Sequence, residues 1–249
     1  MRLTDFDVLT FDMIGTLIDF ETGVLNFLRP RLLREKHELS DDELLETYAT
    51  VQGEVRAKEP KLLFSTRLPK IWEGVAARYG VAVEPGDGAA FVRSAREWPA
   101  FADSAEALAE LKRFFRFLVV VTNGDRVSAR VMAKNLGSPF SEIITEEDMG
   151  YAKPDPRSFE YFVNHLERLG VKRERILHVA QSQYHDIGAA REAGLRSHGS
   201  TAATVKRAMA ARKCRRATQR LISSQPASTI SYASITLISG REHQDAMTG

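Results

Sequence analysis

Residues 11–17 of the chain read FDMIGTL and directly follow the apolar pair Val8-Leu9. The apolar residues predict a β-strand that places Asp12 at its carboxyl end, where Gly15 then permits a sharp turn. In open α/β sheets, ligands bind at that edge. An aspartate facing the N–H groups of a turn there stays ionised and can act as a nucleophile. An isolated Asp is more commonly a turn residue, so the functional interpretation depends on the rest of the chain.

Three further segments carry polar residues where a strand ends or a helix begins. They are a strand that ends in Thr122 and Asn123, a loop with Lys153 just before a helix, and a strand followed by a loop with His185 and Asp186. Each segment alone is ordinary turn or loop chemistry. Their order and spacing indicate that they belong to one site.

The order strand-Asp, strand-Thr, loop-Lys and loop-Asp resembles the four motifs of the haloacid dehalogenase (HAD) superfamily over residues 3–196. The resemblance implies an α/β fold with a doubly wound parallel sheet, a Rossmann-like HAD core, and a helical cap inserted after the first strand. All four motifs would then lie at carboxyl ends of strands. The expected domains are a core of residues 1–18 and 100–200, a cap of residues 19–99, and an atypical basic C-terminal tail of residues 201–249.

The periodicity of the sequence agrees with helices in the cap and with alternating elements after it. Residues 40–43 match a capping box, and Pro69 is expected to open a second cap helix that Gly80 ends. The aromatic residues on the apolar faces of these helices are expected to form a core rather than to contact substrate: Tyr48, Trp72 and Tyr79. The later elements predict a parallel sheet: helices at 104–115, 126–136 and 156–169, and strands at 117–121 and 143–144.

The motif residues depart from the magnesium-dependent phosphatases of the superfamily. Those enzymes carry an acid two residues after the nucleophile and paired acids in the fourth motif, whereas this chain has Ile14 and Gln181 at two of these positions. Asp186 is then the only carboxylate of the fourth-motif loop, which makes a poor site for a hard divalent cation. The chain is more similar to the metal-independent 2-haloacid dehalogenase branch, so that neither a metal nor another cofactor is expected.

The resemblance implies hydrolytic dehalogenation of small 2-haloacids of the haloacetate type through an aspartyl ester. Asp12 would attack the halogen-bearing carbon, and water would then hydrolyse the ester. A departing halide needs no proton, so Ile14 in the place of an acid is no handicap. The resemblance implies that Lys153 keeps Asp12 ionised, that Thr16 orients it, and that Asp186 or His185 serves as base. The substrate carboxylate would be held by the N–H groups of Met13 and Ile14 together with Thr122. Asn123 would donate to the departing halide.

The dehalogenase branch also binds halide with an arginine of the cap. The sequence does not choose among the candidates, which are Arg29, Arg31 and Arg34 in the first cap helix and Arg67 in a later loop. Two alternative functions stay open at this point. One is a HAD-type phosphatase with degenerate metal motifs, and the other is a non-catalytic HAD-fold protein.

Composition places few further limits on the partners of this 249-residue chain. A hydrophobic content of 43% is enough for one substantial core. The single cysteine, Cys214, excludes an intramolecular disulfide, and the sequence lacks an apolar leader or a membrane-spanning run. We therefore expect a cytoplasmic enzyme whose partners are a small-molecule 2-haloacid and water, with no nucleic acid and no membrane; a homodimer is left open.

The last 53 residues, 197–249, differ from the rest of the chain. They hold 8 Lys/Arg and 2 Asp/Glu, although the whole chain has a net charge of only +2. The closing buried strand expected after Ser197 is missing from the sequence pattern. A basic helix that binds nucleic acid or an acidic partner is one interpretation. The preferred one is a replaced or frame-shifted terminus without an evolved function.

Overall fold

A computed structural model describes residues 5–33 and 39–199 of the chain. Its centre is a sheet of five parallel strands in the order β3-β2-β1-β4-β5. The strands are β1 (Val8–Phe11), β2 (Phe117–Thr122), β3 (Glu142–Thr145), β4 (Ile176–Ala180) and β5 (Arg196–Gly199). The first strand lies in the middle, and the later strands are added first on one side and then on the other. This is the doubly wound order, and the predicted α/β class is confirmed.

The register of the sheet brings three strand ends to one edge. Phe11 at the end of β1 stands opposite Val120 of β2 and Val179 of β4. All residues of β1 and β4 are buried, as is typical of parallel strands with helices on both faces. The residues that follow these three strands therefore meet at the carboxyl edge, where Asp12 is located.

Nine helices accompany the strands in the described part of the chain. They are α1 (Phe20–Leu32), α2 (Asp41–Lys58), α3 (Phe64–Tyr79), α4 (Asp87–Arg96), α5 (Ser104–Lys112), α6 (Arg126–Asn135), α7 (Glu146–Met149), α8 (Pro156–Arg168) and α9 (Ala189–Glu192). A 3₁₀ turn, Arg173–Arg175, precedes β4, and a π-helical turn, Gln183–Gly188, follows it.

The start of α3 corrects one expectation from the sequence. Pro69 does not open this helix but lies inside it, five residues after its first residue, Phe64. The early start has a partner outside the helix, because the carboxylate of Asp125 accepts the N–H of Ser65 at 3.1 Å. An N–H of the first helical turn needs such an acceptor, and this one is remote in sequence. The capping box at Ser40 is present as expected.

Helices α1–α4, here called the helical insertion, lie between β1 and α5 and contribute aromatic residues to the core that continues onto the sheet. The ring of Phe27 stacks on Phe91 at a centroid distance of 4.1 Å and meets Trp72 edge-on at 5.5 Å. Trp72 is 1% exposed, in agreement with its expected place in a core.

The chain leaves the sheet for the helical insertion and returns to it at neighbouring points. The N–H of Asp19 donates to the carbonyl of Pro99 at 2.8 Å, and the N–H of Phe101 donates to that of Leu17 at 3.1 Å. Next to these contacts, α1 passes closely over Trp98. A Cβ added at Gly23 would lie 2.1 Å from the Trp98 ring, so this approach requires glycine.

The strand that the sequence pattern lacked is present in part. Arg196–Gly199 pairs with β4 as β5, although its residues are half-buried or exposed. Edge pairing uses backbone groups, so it does not require the apolar residues whose absence suggested a missing strand. The expected tail, residues 201–249, lies outside the described residues. Within the described ranges, no helix is both long and apolar enough to cross a membrane.

Candidate active site

Three buried ionic side chains meet at the carboxyl edge of the sheet and form what we call the carboxylate–lysine cluster: Asp12, Lys153 and Asp186. The ammonium of Lys153 donates to Asp12 Oδ1 at 3.0 Å and also binds Asp186 Oδ1. The side chains of Lys153 and Asp186 are only 1% and 2% exposed. The structure thus brings together residues that are 33 and 141 positions from Lys153 in sequence.

Lys153 is fixed by its backbone as well as by its ammonium. The side-chain amide of Asn123 accepts the N–H of Lys153 at 2.7 Å and donates to its carbonyl at 2.8 Å. The ammonium also donates to the carbonyl of Val121, in β2, at 2.7 Å. Because Val121 lies in β2 and Asn123 directly follows it, this strand sets the position of the cation relative to Asp12.

Thr16 contacts the second oxygen of Asp12. Its hydroxyl donates to Asp12 Oδ2 at 2.8 Å and accepts the N–H of Gln181 at 3.0 Å. Gly15, with φ of 91°, makes the turn that returns Thr16 to the aspartate. Both oxygens of Asp12 are therefore hydrogen-bonded, which fixes the plane of its carboxylate.

Burial and the shared cation shift the pKa values of the cluster in opposite directions. Burial raises the pKa of Asp12, and the charge of Lys153 offsets this only in part. Burial acts on Asp186 too, but Lys153 and the N–H of His178 hold the pKa of that carboxyl well below its usual range. The pKa of Lys153 is raised because the two carboxylates outweigh its desolvation. The resting cluster contains a firmly ionised Asp186 and a more basic Asp12.

His178 is a site residue that the sequence did not reveal. It lies in β4, is 0% exposed, and places Nε2 3.1 Å from Asp186 Oδ1. Because Asp186 is ionised, Nε2–H is the donor in this contact, and Nδ1 lies 2.8 Å from the hydroxyl oxygen of Thr10. The partner Thr10 stands opposite His178 in the β1–β4 register, a pairing that only the sheet order makes visible.

A cavity of about 550 Å³ opens above the cluster. The sheet edge supplies one wall, with Asp12, Ile14 and Thr122 among its residues. The helical insertion and the segment that follows it supply another part of the wall, which includes Phe20, Tyr48, Gln52, Arg56, Phe64, Arg67 and Trp98. Tyr48 is buried, as expected of a core residue, but it also lines this cavity.

The arginines considered as halide ligands have different surroundings. Arg29 binds Asp41 at the surface, and Arg31 binds Asp87 at 3.1 Å and lies over the ring of Phe27. Arg34 lies outside the described residues. Arg67 alone of the three described candidates lines the cavity, and it lies in α3 rather than in the loop expected from sequence. The misplacement follows from the early start of that helix.

Arg67 and Arg56, here called the arginine pair, face the cavity from the helical insertion. Arg67 is 4% exposed and donates to Glu146 at 3.3 Å and to the carbonyl of Asn123 at 3.4 Å. Arg56, in α2, places Nη1 3.0 Å from Nε2 of His185. Burial and the nearby charge of Arg56 lower the pKa of His185, so the ring is neutral near pH 7 and accepts from Arg56.

The residues expected to hold substrate have mixed surroundings. Ile14, Thr122 and Asn123 line the cavity, and the Thr122 hydroxyl accepts the N–H of Gly124 at 3.0 Å. The side chain of Met13 is fully buried in the core. The amide of Asn123 is engaged by Lys153, so the expected donation to halide is left to the second N–H of Nδ2. Its role as a halide donor stays a prediction.

The same residues do not fit a magnesium centre of the phosphatase type. Asp12 and Asp186 already share the ammonium of Lys153, and Ile14 supplies no side-chain ligand. In residues 5–33 and 39–199, no group of three His, Cys, Asp or Glu side chains is arranged to hold a metal ion. Magnesium prefers an octahedron of oxygen ligands, and this set offers two carboxylates that a cation has neutralised in part.

Comparison with known proteins agrees with this architecture. A family model for haloacid dehalogenase-like hydrolases matches residues 6–194, and the chain belongs to this family. The chain is 32% identical over 110 residues to a phosphoserine phosphatase of Thermus thermophilus, covering 43% of each protein. It is 28% identical over 101 residues to (S)-2-haloacid dehalogenase 4A of Burkholderia cepacia, covering 40% of this chain and 42% of the relative. The match thus spans less than half the length of either relative.

Solved structures show the same fold. The L-2-haloacid dehalogenase from Xanthobacter autotrophicus superposes with a TM-score of 0.64 at 20% identity, covering 77% of this chain and 76% of that one. The magnesium-bound YfnB from Bacillus subtilis, described as a HAD-hydrolase, gives 0.63 at 23%, covering 79% and 88%. These likenesses show the HAD fold, and the family to which the chain belongs is one of hydrolases. The comparisons do not identify the bond that is hydrolysed, so this question depends on the chemistry of the site.

Proposed function

We propose that the chain is a metal-independent hydrolytic dehalogenase of small 2-haloacids that works through an aspartyl ester. The observation that carries the proposal is the pairing of Asp12 with Lys153 beside a cavity wall that has Ile14 where phosphatases have a proton donor. The leaving group of a phosphate ester is an alkoxide that needs a proton, whereas a halide leaves as a stable anion. The site therefore suits the second leaving group better than the first.

In the first step, a carboxylate oxygen of Asp12 attacks the carbon that carries the halogen. The new C–O bond forms as the carbon–halogen bond breaks, and the halide takes the bonding electron pair. Lys153 and Thr16 hold the attacking carboxylate in a single orientation. The N–H groups of Met13 and Ile14, with Thr122, take the substrate carboxylate, and Arg67 takes the departing halide.

In the second step, water attacks the carbonyl carbon of the Asp12 ester and releases the 2-hydroxy acid. The proton of the water passes to Asp186 or His185, and the free Asp12 carboxylate is restored. The two candidates differ in availability, because the lone pair of His185 Nε2 is engaged by Arg56. Lys153 and His178 fix the carboxylate of Asp186. In this proposal, the fixed carboxylate orients the water.

A HAD-type phosphatase is the second candidate function. The match to the Thermus thermophilus phosphoserine phosphatase favours it. The misfit of the cluster to magnesium opposes it, since a phosphatase of this family type would need the metal to neutralise its substrate.

The deciding experiment measures halide release from chloro-, bromo- and fluoroacetate, and phosphate release from phosphoserine, each with excess chelator and with added Mg²⁺. We expect halide release that the chelator leaves unchanged. Phosphate release that depends on Mg²⁺, without halide release, would replace the proposal with the phosphatase. In single turnover in ¹⁸O-labelled water, the label should enter Asp12 before it enters product. Direct entry of label into the first product would rule out the ester.

A further inference from the structure

The cavity above the cluster is larger than a haloacetate requires. Its volume of about 550 Å³ lies within the range of about 300–1,000 Å³ that holds drug-sized ligands. The groups assigned to a small haloacid lie on the sheet-edge wall or, in the case of Arg67, next to it. Arg56 is not used by the proposed reaction, although it lines the same cavity.

Arg56 differs from Arg67 in how its charge is compensated. Arg67 pairs with the carboxylate of Glu146 at 3.3 Å. Arg56 has no carboxylate within ion-pair distance among the residues that the structure describes, and its one hydrogen-bond partner there is the neutral ring of His185. Burial and the positive charge of Arg67 lower the pKa of Arg56, and the charge of Glu146, which is not in contact with Arg56, offsets this only in part. A part-buried cation without a carboxylate in contact can still bind an anion from solution.

The contact with His185 also fixes where that charge points. The hydroxyl of Ser182 accepts the backbone N–H of His185 at 2.9 Å and lies 3.2 Å from its Nδ1. His185 is adjacent to Asp186, so the ring that holds Arg56 is anchored to the loop that carries the cluster. The guanidinium therefore has a defined place in the wall of the cavity that Asp12 also lines, with one of its five N–H donors in use.

We propose that Arg56 binds a second carboxylate of the substrate, so that the preferred substrate is a 2-halogenated dicarboxylic acid. One unpaired guanidinium matches the single negative charge and planar shape of a carboxylate. The first carboxylate and the halogen-bearing carbon lie at the sheet edge beside Asp12, and the second carboxylate extends across the cavity to Arg56. This inference rests on the proposed function for its chemistry, but not for its binding step.

The first test compares 2-bromosuccinate with 2-bromosuccinamate, in which the distal carboxylate is replaced by a neutral amide of the same shape. We expect kcat/KM to favour the dicarboxylate by about tenfold or more, because an amide leaves the cation unpaired. Arg56→Gln should reduce this preference to nearly one, and Arg56→Lys should retain part of it. Arg29→Gln is the matched control, since Arg29 lies at the surface outside the cavity, and it should leave the preference unchanged.

A preference near one in the unsubstituted chain, or a preference that survives in Arg56→Gln, would overturn the inference. A second measurement separates its failure from failure of the proposed function. Succinate and succinamate carry no halogen, and their effect on the melting temperature reports binding alone. Succinate should raise the melting temperature more than succinamate does, and Arg56→Gln should remove the difference. If no haloacid is turned over but this difference is found, the dehalogenase proposal fails and the subsite remains; equal shifts would overturn the subsite.

Discussion

The carboxylate–lysine cluster and the arginine pair line the same cavity, yet their charges are compensated in different ways. In the cluster, each charge is buried and has an opposite charge in contact. Asp12 directly follows β1, Asp186 lies in the π-helical turn after β4, and Lys153 lies in the loop before α8. In the arginine pair, one guanidinium shares a carboxylate and the other has only a neutral imidazole. The cluster is closed on itself, whereas the arginine pair has capacity for a ligand.

This difference suggests that the sheet edge carries the chemical step and that the helical insertion determines which substrate is preferred. A closed ionic cluster on rigid strands can hold a nucleophile in one orientation, which is what a chemical step requires. An incompletely paired cation gains more from an incoming anion than a paired one does. We therefore expect substitutions in the cluster to abolish chemistry or folding stability, and substitutions in the arginine pair to change which substrate is preferred.

The largest expected effect is that of Asp12→Asn. The amide keeps the shape of the side chain but removes the nucleophilic charge, so halide release should fall on the order of 10⁴-fold or more. The measurement is a rate under single-turnover conditions, with circular dichroism to show that the fold is retained. An active Asp12→Asn variant would show that another residue is the nucleophile. The proposed difference in role between the carboxylate–lysine cluster and the arginine pair would then be wrong.

Lys153→Met should affect both stability and activity. It leaves the carboxylates of Asp12 and Asp186 buried without their cation, and breaking such a buried pair costs about 3–5 kcal/mol. Urea unfolding measures the free energy of unfolding, and Lys153→Arg serves as the charge-conserving control. A Met variant as stable as the unsubstituted chain would mean that the cluster is not the closed ionic unit seen in the structure.

The pH profile of halide release tests the ionisation of Asp12 and Lys153 within the cluster. Asp12 must be ionised to attack, and its pKa is raised by burial. Activity should therefore be lost, as pH falls, at a pH above the ordinary aspartate pKa of about 3.9. On the alkaline side, Lys153 should stay charged beyond the ordinary lysine pKa of about 10.4, because the two carboxylates raise its pKa. An acid limb at or below the ordinary aspartate value would contradict the burial of Asp12.

The smallest effect is expected for Arg29→Gln. Its ion pair with Asp41 joins two side chains that are 42% and 52% exposed. Exposed pairs of this kind contribute about 0–1 kcal/mol to stability, so the free energy of unfolding should change little and halide release not at all. A large loss of activity in this variant would show that the functional arginines of the helical insertion extend beyond the cavity.

The sequence predicted the carboxylate–lysine cluster better than it predicted the arginine pair. Asp12, Lys153 and Asp186 follow strands or precede a helix, and parallel strands collect such positions at one edge whatever the details of packing. Arg56 stands on an amphipathic helix, where neither its direction nor its partner His185 can be read from periodicity. His178 looked like part of an apolar strand, because its partner Thr10 is 168 residues away.

Local signals were reliable where the interaction itself was local. The capping box at Ser40 involves residues three apart and formed as expected. The start of α3 depends on Asp125, which is 60 residues from Ser65, and the helix propensity around Pro69 could not reveal it. β5 likewise depends on backbone pairing with β4 rather than on its own side chains.

Because α1 passes closely over Trp98, a substitution in α1 could change the size of the cavity. Gly23 does not line the cavity, but it supports the back of the Trp98 side chain, which does. Any larger residue at position 23 must displace the ring or the helix, since the added carbon would lie 2.1 Å from the ring. A designer who wished to change the range of acids admitted could therefore work from behind the cavity wall, without altering a residue that touches the substrate.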